Sequence, residues 1–290
     1  MIDLISVVIP TRNRCCRLAQ AVASVRRQTG VNFEIIVVDD ASSDDTPEVV
    51  RALSEEDSRL RYVRNDAPLG GGGTRNAGVA VARGEYVAFL DDDDQFLDGK
   101  LERQLAALRA HPSAPAASCS FVLYRGERSE CVRLLHSPSD RQELLRANVL
   151  GGASVCMVRT EVFKKVGGFD PALRAGQDWD LWLKLHRQGT VLVCDEPLVR
   201  YNLHQDGQIT GNFQAEYRGR RRIHLRYSGE MGDAVRNYSL CELFFFRRVL
   251  FAPSSVRRLK GLLRLMLMAK KMDRFRFAWR AFRYLRQGAF

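Results

Sequence analysis

Tyr86-Val87-Ala88-Phe89-Leu90-Asp91-Asp92-Asp93-Asp94 runs an apolar stretch straight into four consecutive carboxylates. The apolar half reads as a short buried strand. Adjacent carboxylates repel one another, and partial exclusion of water makes leaving them unneutralised costly. A divalent cation is the cheapest compensation, and at a strand end such a cation commonly holds a diphosphate. A solvated loop that happens to be acidic is the plainer reading, but it does not account for the apolar strand before the acids.

Working outward, Ile5 to Pro10 reads as a buried strand, Arg17 to Gln28 as a helix and Phe33 to Val38 as a second strand ending in Asp39-Asp40. Asp44-Asp45-Thr46-Pro47 opens a second helix with acids in its first turn. Leu60 to Arg64 is a third strand. The glycine cluster Gly70 to Gly73 precedes a helix opening at Thr74 and ending at Ala82. Strand and helix alternate with short connections, which predicts an α/β fold: a Rossmann-like, mostly parallel sheet with helices on both faces. Ligands of such sheets sit beyond the carboxyl ends of the strands. Pro10-Thr11-Arg12, Asp39-Asp40 and Asp91 to Asp94 all fall at that edge.

Beyond a helix over Leu101 to Ala110 the pattern is less regular. Ala116 to Tyr124, Val191 to Val193 and Leu198 to Tyr201 are strand-like, whereas Glu161 to Val166 and Trp179 to His186 are helix-like. From about Gln214 only basic helical segments follow. The expected division is a catalytic domain over 1–210, with a nucleotide-binding half to about 110 and an acceptor-binding half over 111–210. A basic helical extension occupies 211–290.

Charge supports that division. The net charge of +11 is concentrated late: 19 Lys and Arg against 5 Asp and Glu from Gly211 onward give +14, leaving the first 210 residues near −3. A hydrophobic content of 46% and a charged content of 27% describe a folded globular protein. Seven cysteines without a C-x-x-C pair point to reduced thiols in the cytosol. The first residues lack the basic and apolar regions of a signal peptide, and no apolar run of about 18 residues predicts a spanning helix.

Each candidate site residue has a duller explanation. Asp40 is placed to accept a ring N–H of a base, or either Asp39 or Asp40 caps the following turn. The glycines before Arg75 lack the Gly-Lys-Ser/Thr of a P-loop. They lead either to a helix N-terminus near phosphate, with Arg75 as a planar cation, or to a hinge with a surface arginine. Asp178, in Gln177-Asp178-Trp179-Asp180-Leu181-Trp182-Leu183, sits at a helix start as a capping group or a general base. His204 is a lone histidine after a strand.

Taken in order, Ser6-Val7-Val8-Ile9-Pro10-Thr11-Arg12-Asn13, Val37-Val38-Asp39-Asp40-Ala41-Ser42, Thr74-Arg75-Asn76-Ala77-Gly78, Gly84 to Asp94, Val166-Gly167-Gly168-Phe169-Asp170 and Gln177 to Leu183 resemble the inverting nucleotide-sugar glycosyltransferases of family 2, which have a GT-A fold. The resemblance covers roughly residues 3–210. It implies that Asp40 reads the base of a nucleoside-diphosphate sugar, UDP favoured, in a pocket lined by Pro10, Thr11 and Arg12. Arg75 approaches the diphosphate. Asp91-Asp92-Asp93 falls on the D-x-D motif, with Asp93 the main ligand of Mn2+ or Mg2+ and Asp92 against ribose or metal. By the same match Asp91 and Asp92 are supporting residues, Asp94 is the most dispensable acid, Asp178 is the general base, and His204 lies near the metal. Two departures stand out: Arg12 replaces a frequent aromatic, and Gln177 replaces a frequent glutamate.

The implied reaction is a single displacement at the anomeric carbon, onto a hydroxyl of a glycan or lipid-linked acceptor in surface polysaccharide or lipopolysaccharide assembly. A nucleotidyltransferase acting on a sugar phosphate, or a silent nucleotide-sugar-binding scaffold, remains an alternative. The extension mixes Phe244-Phe245-Phe246, Leu262-Leu263, Leu265 to Met268 and Trp279 with arginines. Such helices suit an anionic membrane, which would place the protein peripherally on the cytoplasmic face of the inner membrane; a packing arm, a homodimer element and a nucleic-acid patch are the other readings, with nucleic acid not expected.

Overall fold

A computed structural model describes residues 3–132, 140–203 and 212–247. The chain falls into two compact units, Met1–Gln208 and Ile209–Phe290.

The first unit opens with β1 (Leu4–Thr11), α1 (Cys15–Arg26), β2 (Asn32–Asp39), α2 (Thr46–Glu56), β3 (Leu60–Arg64), α3 (Gly70–Val81) and β4 (Tyr86–Phe89). There follow β5 (Gln95–Phe96), α4 (Lys100–Ala110), β6 (Ala116–Arg125), β7 (Arg128–Val132), α5 (Arg141–Arg146), β8 (Met157–Arg159), α6 (Thr160–Lys165), α7 (Gln177–His186) and β9 (Leu192–Leu203). All nine strands join one sheet in the order β3-β2-β1-β4-β8-β6-β9-β5, with β7 paired to β6. The pairings β1–β2, β1–β4, β2–β3 and β6–β9 are parallel. Only β5, β7 and β8 run against the rest. The sheet is therefore mostly parallel and α/β, as the alternating pattern predicts. Ile5 and Val7 to Ile9 of β1, and Ile35 to Val38 of β2, are all wholly buried. Successive strand residues face opposite sides, so both faces of the sheet are covered.

Several elements differ from the sequence pattern. The glycine cluster is not a loop before α3 but its first turn. Glycine costs about 1 kcal/mol per helical position relative to alanine. Here the missing side chains make room: a Cβ on Gly71 would lie 3.0 Å from the Arg75 guanidinium, and one on Gly72 would lie 3.3 Å from Phe169 Cβ. The strand-like runs at 191–193 and 198–201 are one strand, β9, whose pairing with β6 shifts register around Ser120. The two-residue β5 and the short β8 carry too little pattern to announce themselves.

That last pair positions the acids. The chain leaves β4 in the middle of the sheet and next pairs, as β5, with β9 at the far edge. Asp91 to Asp94 are thereby laid across the edge formed by β8, β6 and β9. The β5 end is held by α1, where Ser24 Oγ accepts from the Phe96 amide at 3.0 Å and Gln28 donates to the Leu97 carbonyl at 2.9 Å.

Close helix–sheet contact sets the other side. A Cβ on Gly78 of α3 would stand 2.4 Å from Val8 Cγ1 and 3.0 Å from Val38 Cγ2. Asn76, on the same helix, exchanges two hydrogen bonds with the Phe169 backbone at 2.8 and 3.0 Å. Phe169 in turn packs against Phe89 and Phe163, with ring centroids 5.1 and 5.7 Å away.

The second unit contains α8 (Phe213–Tyr227), capped by the Asn212 side chain, and α9 (Asp233–Phe245). Arg220 pairs with Glu242 at 2.8 Å, over a core that includes Ile223, Tyr227, Tyr238 and Phe245. Phe245 and Phe246, which the membrane reading would put on an outer face and the packing-arm reading in a core, are buried. Leu262 to Met268 and Trp279 lie outside the described residues. Among the described residues no helix is long and apolar enough to cross a membrane. All seven cysteines are free thiols.

Candidate active site

The three strand ends meet as the sheet topology requires. The Asp40 amide donates to the Thr11 carbonyl at 2.9 Å, and the Thr11 hydroxyl donates to Asp92 Oδ2 at 2.8 Å. Asp39 and Asp40 are nevertheless both engaged by protein groups. Asp39 accepts from the Ser42 amide at 2.8 Å and the Tyr62 hydroxyl at 2.8 Å. Asp40 accepts from the Leu69 and Gly70 amides at 2.7 and 2.9 Å and from Asn65 Nδ2 at 2.8 Å, so it caps the start of α3. Burial opposes its charge, yet these donors prevail and lower its pKa below the ordinary aspartate value. The capping alternative is thus realised at both residues, Asp39 holding the following turn through the Ser42 amide and Asp40 capping a distant helix. Pro10 is half-buried, Thr11 is buried and Arg12 is exposed at the rim.

The four acids do four different things. Asp91 pairs with Arg75 Nη2. Asp92 turns away from the others into Thr11 and into Arg14, whose Nη1 lies 2.8 Å from Asp92 Oδ1 and 3.0 Å from Asp93 Oδ2. Asp93 stays partly exposed. Asp94, ranked most dispensable on sequence, is 2% exposed and accepts from the Ser154 hydroxyl at 2.6 Å and the Asn202 amide at 3.1 Å. Ser154 also receives the Asp91 amide at 3.1 Å, and Asn202 Nδ2 donates to the Asp93 carbonyl at 2.7 Å. Asp94 is a structural anchor because the chain must cross the sheet edge there and its turn needs internal partners. Burial pushes the Asp92 carboxyl up to about 6, against the pull of Arg14. Burial, reinforced by Asp91 and Asp93, raises Asp94 well above the ordinary value.

One carboxylate oxygen each from Asp91, Asp93 and Asp94 lies within 4.8 Å of the others. Hard oxygen donors at this spacing suit Mg2+ or Mn2+. Arg75 and Arg14 offset only part of the cluster's negative charge, and a divalent cation would offset the remainder, so the donor set fits such an ion. Among the described residues this grouping contains Asp93, the expected main ligand, together with Asp91 and Asp94, and leaves Asp92 out. His204 lies outside the described residues.

Arg75 links the acids to Asp178. It is 8% exposed, donates to Gln177 Oε1 at 3.2 Å and sits 5.4 Å from the Phe169 ring centre. Its Nε is buried and has no hydrogen-bond partner. A buried, incompletely bonded guanidinium beside an acid cluster is suited to receive an anion such as diphosphate.

Asp178 is the second residue of α7, whose N-cap is Gly176 in the left-handed region with φ 74°. Its carboxylate is partly buried and accepts from Asn148 Nδ2 at 2.9 Å. Burial raises its pKa, while backbone N–H groups of its own turn and Arg75 oppose the rise. A Cβ on Gly152 would lie 4.0 Å from Asp178 Oδ2 and 3.6 Å from the Tyr201 ring, so bare backbone leaves space between them. Tyr201 is held far from ionisation by burial and by the surrounding aspartates.

Sequence reading missed Arg14, Asn148, Ser154, Tyr201 and Asn202. Arg14 sat two residues beyond the expected base pocket and was legible as a cation near the sheet edge. The others come from irregular segments whose partners only the fold supplies.

Comparison with known proteins bears on the family and the fold. The family model for glycosyl transferase family 2 matches residues 6–167. The GalNAc(5)-diNAcBac-PP-undecaprenol beta-1,3-glucosyltransferase of Campylobacter jejuni is 46% identical over 98 residues, 33% of this chain and 32% of its own. The structure of S. aureus TarS 1-349 with UDP-GlcNAc superposes with a TM-score of 0.70 at 18% identity, over 92% of this chain and 81% of that one. The mannosyltransferase PcManGT of Pyrobaculum calidifontis, solved with GDP-Man and Mn2+, gives 0.60 at 19% identity over 94% and 76%. At those identities the two structures speak for the fold, and the family match covers more than half the chain. The chain belongs to glycosyl transferase family 2, with a GT-A fold.

Proposed function

We propose that the chain is a metal-dependent, inverting, hexosyltransferase-type enzyme that moves a sugar from a nucleoside-diphosphate sugar to a hydroxyl of a glycan or lipid-linked acceptor. The observation that carries this reading is Arg75. It joins the acid cluster at Asp91 to Gln177, the neighbour of Asp178, and so puts a cation-lined diphosphate site beside a carboxylate with a raised pKa. Nucleotide sugars bound to structural neighbours, UDP-GlcNAc and GDP-Man, support the donor class, and UDP is the favoured base carrier. The undecaprenol-linked name of the Campylobacter relative supports a lipid-linked acceptor in polysaccharide assembly.

Asp91, Asp93 and Asp94 would hold the divalent cation, with His204 a further candidate ligand. When bound, the metal supplies Lewis-acid neutralisation of charge on the departing diphosphate. Arg75 binds the same diphosphate. Pro10, Thr11 and Arg12 line the nucleotide pocket, with Asp92 locking Thr11 in place. Asp40 takes the ring N–H of the base. Asp178 removes the proton of the acceptor hydroxyl as that oxygen attacks the anomeric carbon from the face opposite the leaving group, which inverts the centre.

A panel of nucleotide sugars screened for Mn2+-dependent thermal shift and hydrolysis tests the donor assignment. Asp178→Asn should fold and bind donor but transfer almost no sugar, and near-normal transfer by that variant would remove Asp178 from the mechanism. A base must be deprotonated to act. Because burial raises its pKa above the ordinary 3.8, the rate should climb with pH along an acid limb centred above that value.

A further inference from the structure

Asn148 lies in the connection between α5 and β8 and has no role in the reaction as described above. Its side chain makes three hydrogen bonds. Nδ2 donates to Asp178 Oδ2 at 2.9 Å and to the Gly151 carbonyl at 2.9 Å, while Oδ1 accepts from the Leu150 amide at 3.2 Å. A backbone amide can only donate, so Leu150 fixes which end of the Asn148 amide is oxygen and leaves nitrogen facing the carboxylate. Trp182 Nε1, one turn along α7 from Asp178, donates at 2.9 Å to the same Gly151 carbonyl. Helix α7 and the 148–152 segment are thus tied at two points, one of them the carboxylate itself.

We propose that Asn148 is the positioning residue for Asp178: by holding Oδ2 it fixes the orientation in which the carboxylate takes the acceptor proton. The inference rests on Asp178 being the general base. An N–H donated to a carboxylate stabilises the charged form, so Asn148 also restrains the upward pressure of burial on this group. The other charged or titratable groups around Asp178 are Arg75 of α3, Asp91 after β4, Cys156 before β8 and Tyr201 of β9. Arg75 favours the carboxylate and Asp91 disfavours it. Asn148 is the neutral donor among them, and an amide cannot itself become charged when the proton arrives.

The test uses full-length protein and a nucleoside-diphosphate sugar that the hydrolysis panel shows to be turned over. Asn148→Ala should lower kcat by about ten- to a hundredfold, a part of what a positioned base contributes. The donor KM should change little, and the acid limb of kcat should move to higher pH. Asn148→Asp keeps the size but sets a second carboxylate beside Asp178, and it should move the limb further in the same direction. A merely structural Asn148 would give a lower melting temperature and a raised donor KM with the limb unmoved, which overturns the proposal. Asp178→Asn, measured in parallel, separates the two readings. If Asp178→Asn is dead and Asn148→Ala keeps the parent kcat and limb, only the positioning role fails. If Asp178→Asn is active, both fall.

Discussion

Asp93 and Asp94 are neighbours with the same side chain, and their surroundings set them apart. Asp94 satisfies the Ser154 hydroxyl and the Asn202 amide inside the protein, whereas Asp93 is partly exposed and pairs with Arg14. Leaving buried donors without partners costs about 1–3 kcal/mol. Asp94→Ala should therefore lower the urea-unfolding free energy by about that much. Asp94→Asn should cost less, because it keeps an acceptor and relieves repulsion from Asp91 and Asp93. Asp93→Ala should leave stability nearly unchanged and abolish the Mn2+-dependent nucleotide shift. Equal stability losses at the two positions would show that the division of roles is wrong. Asp94 shows what a run of identical letters conceals: the acids were legible as a group, but which one faces inward depends on the strand crossing to β5.

At the scale of elements, α3 is the part whose placement the site can least spare. One end is capped by Asp40 and its middle rests on β1 and β2 through Gly78, so that Arg75 reaches Asp91 and Asn76 locks the Phe169 backbone. Gly78→Ala puts a methyl group 2.4 Å from Val8 Cγ1, and α3 must lift or Val8 must move. Overpacking of this kind costs about 1–3 kcal/mol. Val8→Ala should recover part of that loss in the double variant, giving a non-additive cycle in urea denaturation. Strict additivity would deny the contact. The strands were legible because continuous β-branched runs bury both faces. The start of α3 was not, because helix propensity argues against four glycines and only tertiary contacts explain them. Segments 166–170 and 74–78 were each recognisable, yet nothing in either announced that they bond to one another.

For the molecule as a whole, charge distinguishes the two units, the late part of the chain carrying the excess of Lys and Arg. On α8, Arg218, Arg221, Arg222, Leu225 and Arg226 are all exposed, and their three- and four-residue spacing puts them on one side of the helix. Such a face suits anionic headgroups, each basic residue near the surface contributing about 1 kcal/mol. Full-length protein should co-sediment with vesicles containing anionic lipid, and binding should fall as salt rises. Arg218→Glu combined with Arg221→Glu should weaken it without altering donor hydrolysis. Binding that ignores both salt and charge reversal would sink the membrane reading. Burial of Phe245 and Phe246 narrows that reading, since those rings serve the core of the second unit and not an outer face.

The sequence by itself determined the α/β class, the strand edge where Thr11, Asp40 and the acids converge, and the family. Each of these follows from local hydrophobic period, strand-end chemistry or contiguous motifs. Only the tertiary structure decided that Asp40 caps α3, that Asp92 turns to Thr11 and Arg14, that Asp94 is an anchor, and that Asn148 holds Asp178. Those outcomes depend on hydrogen-bond partners between about 30 and more than 100 residues away, and a buried polar group takes whichever donor the fold brings within reach.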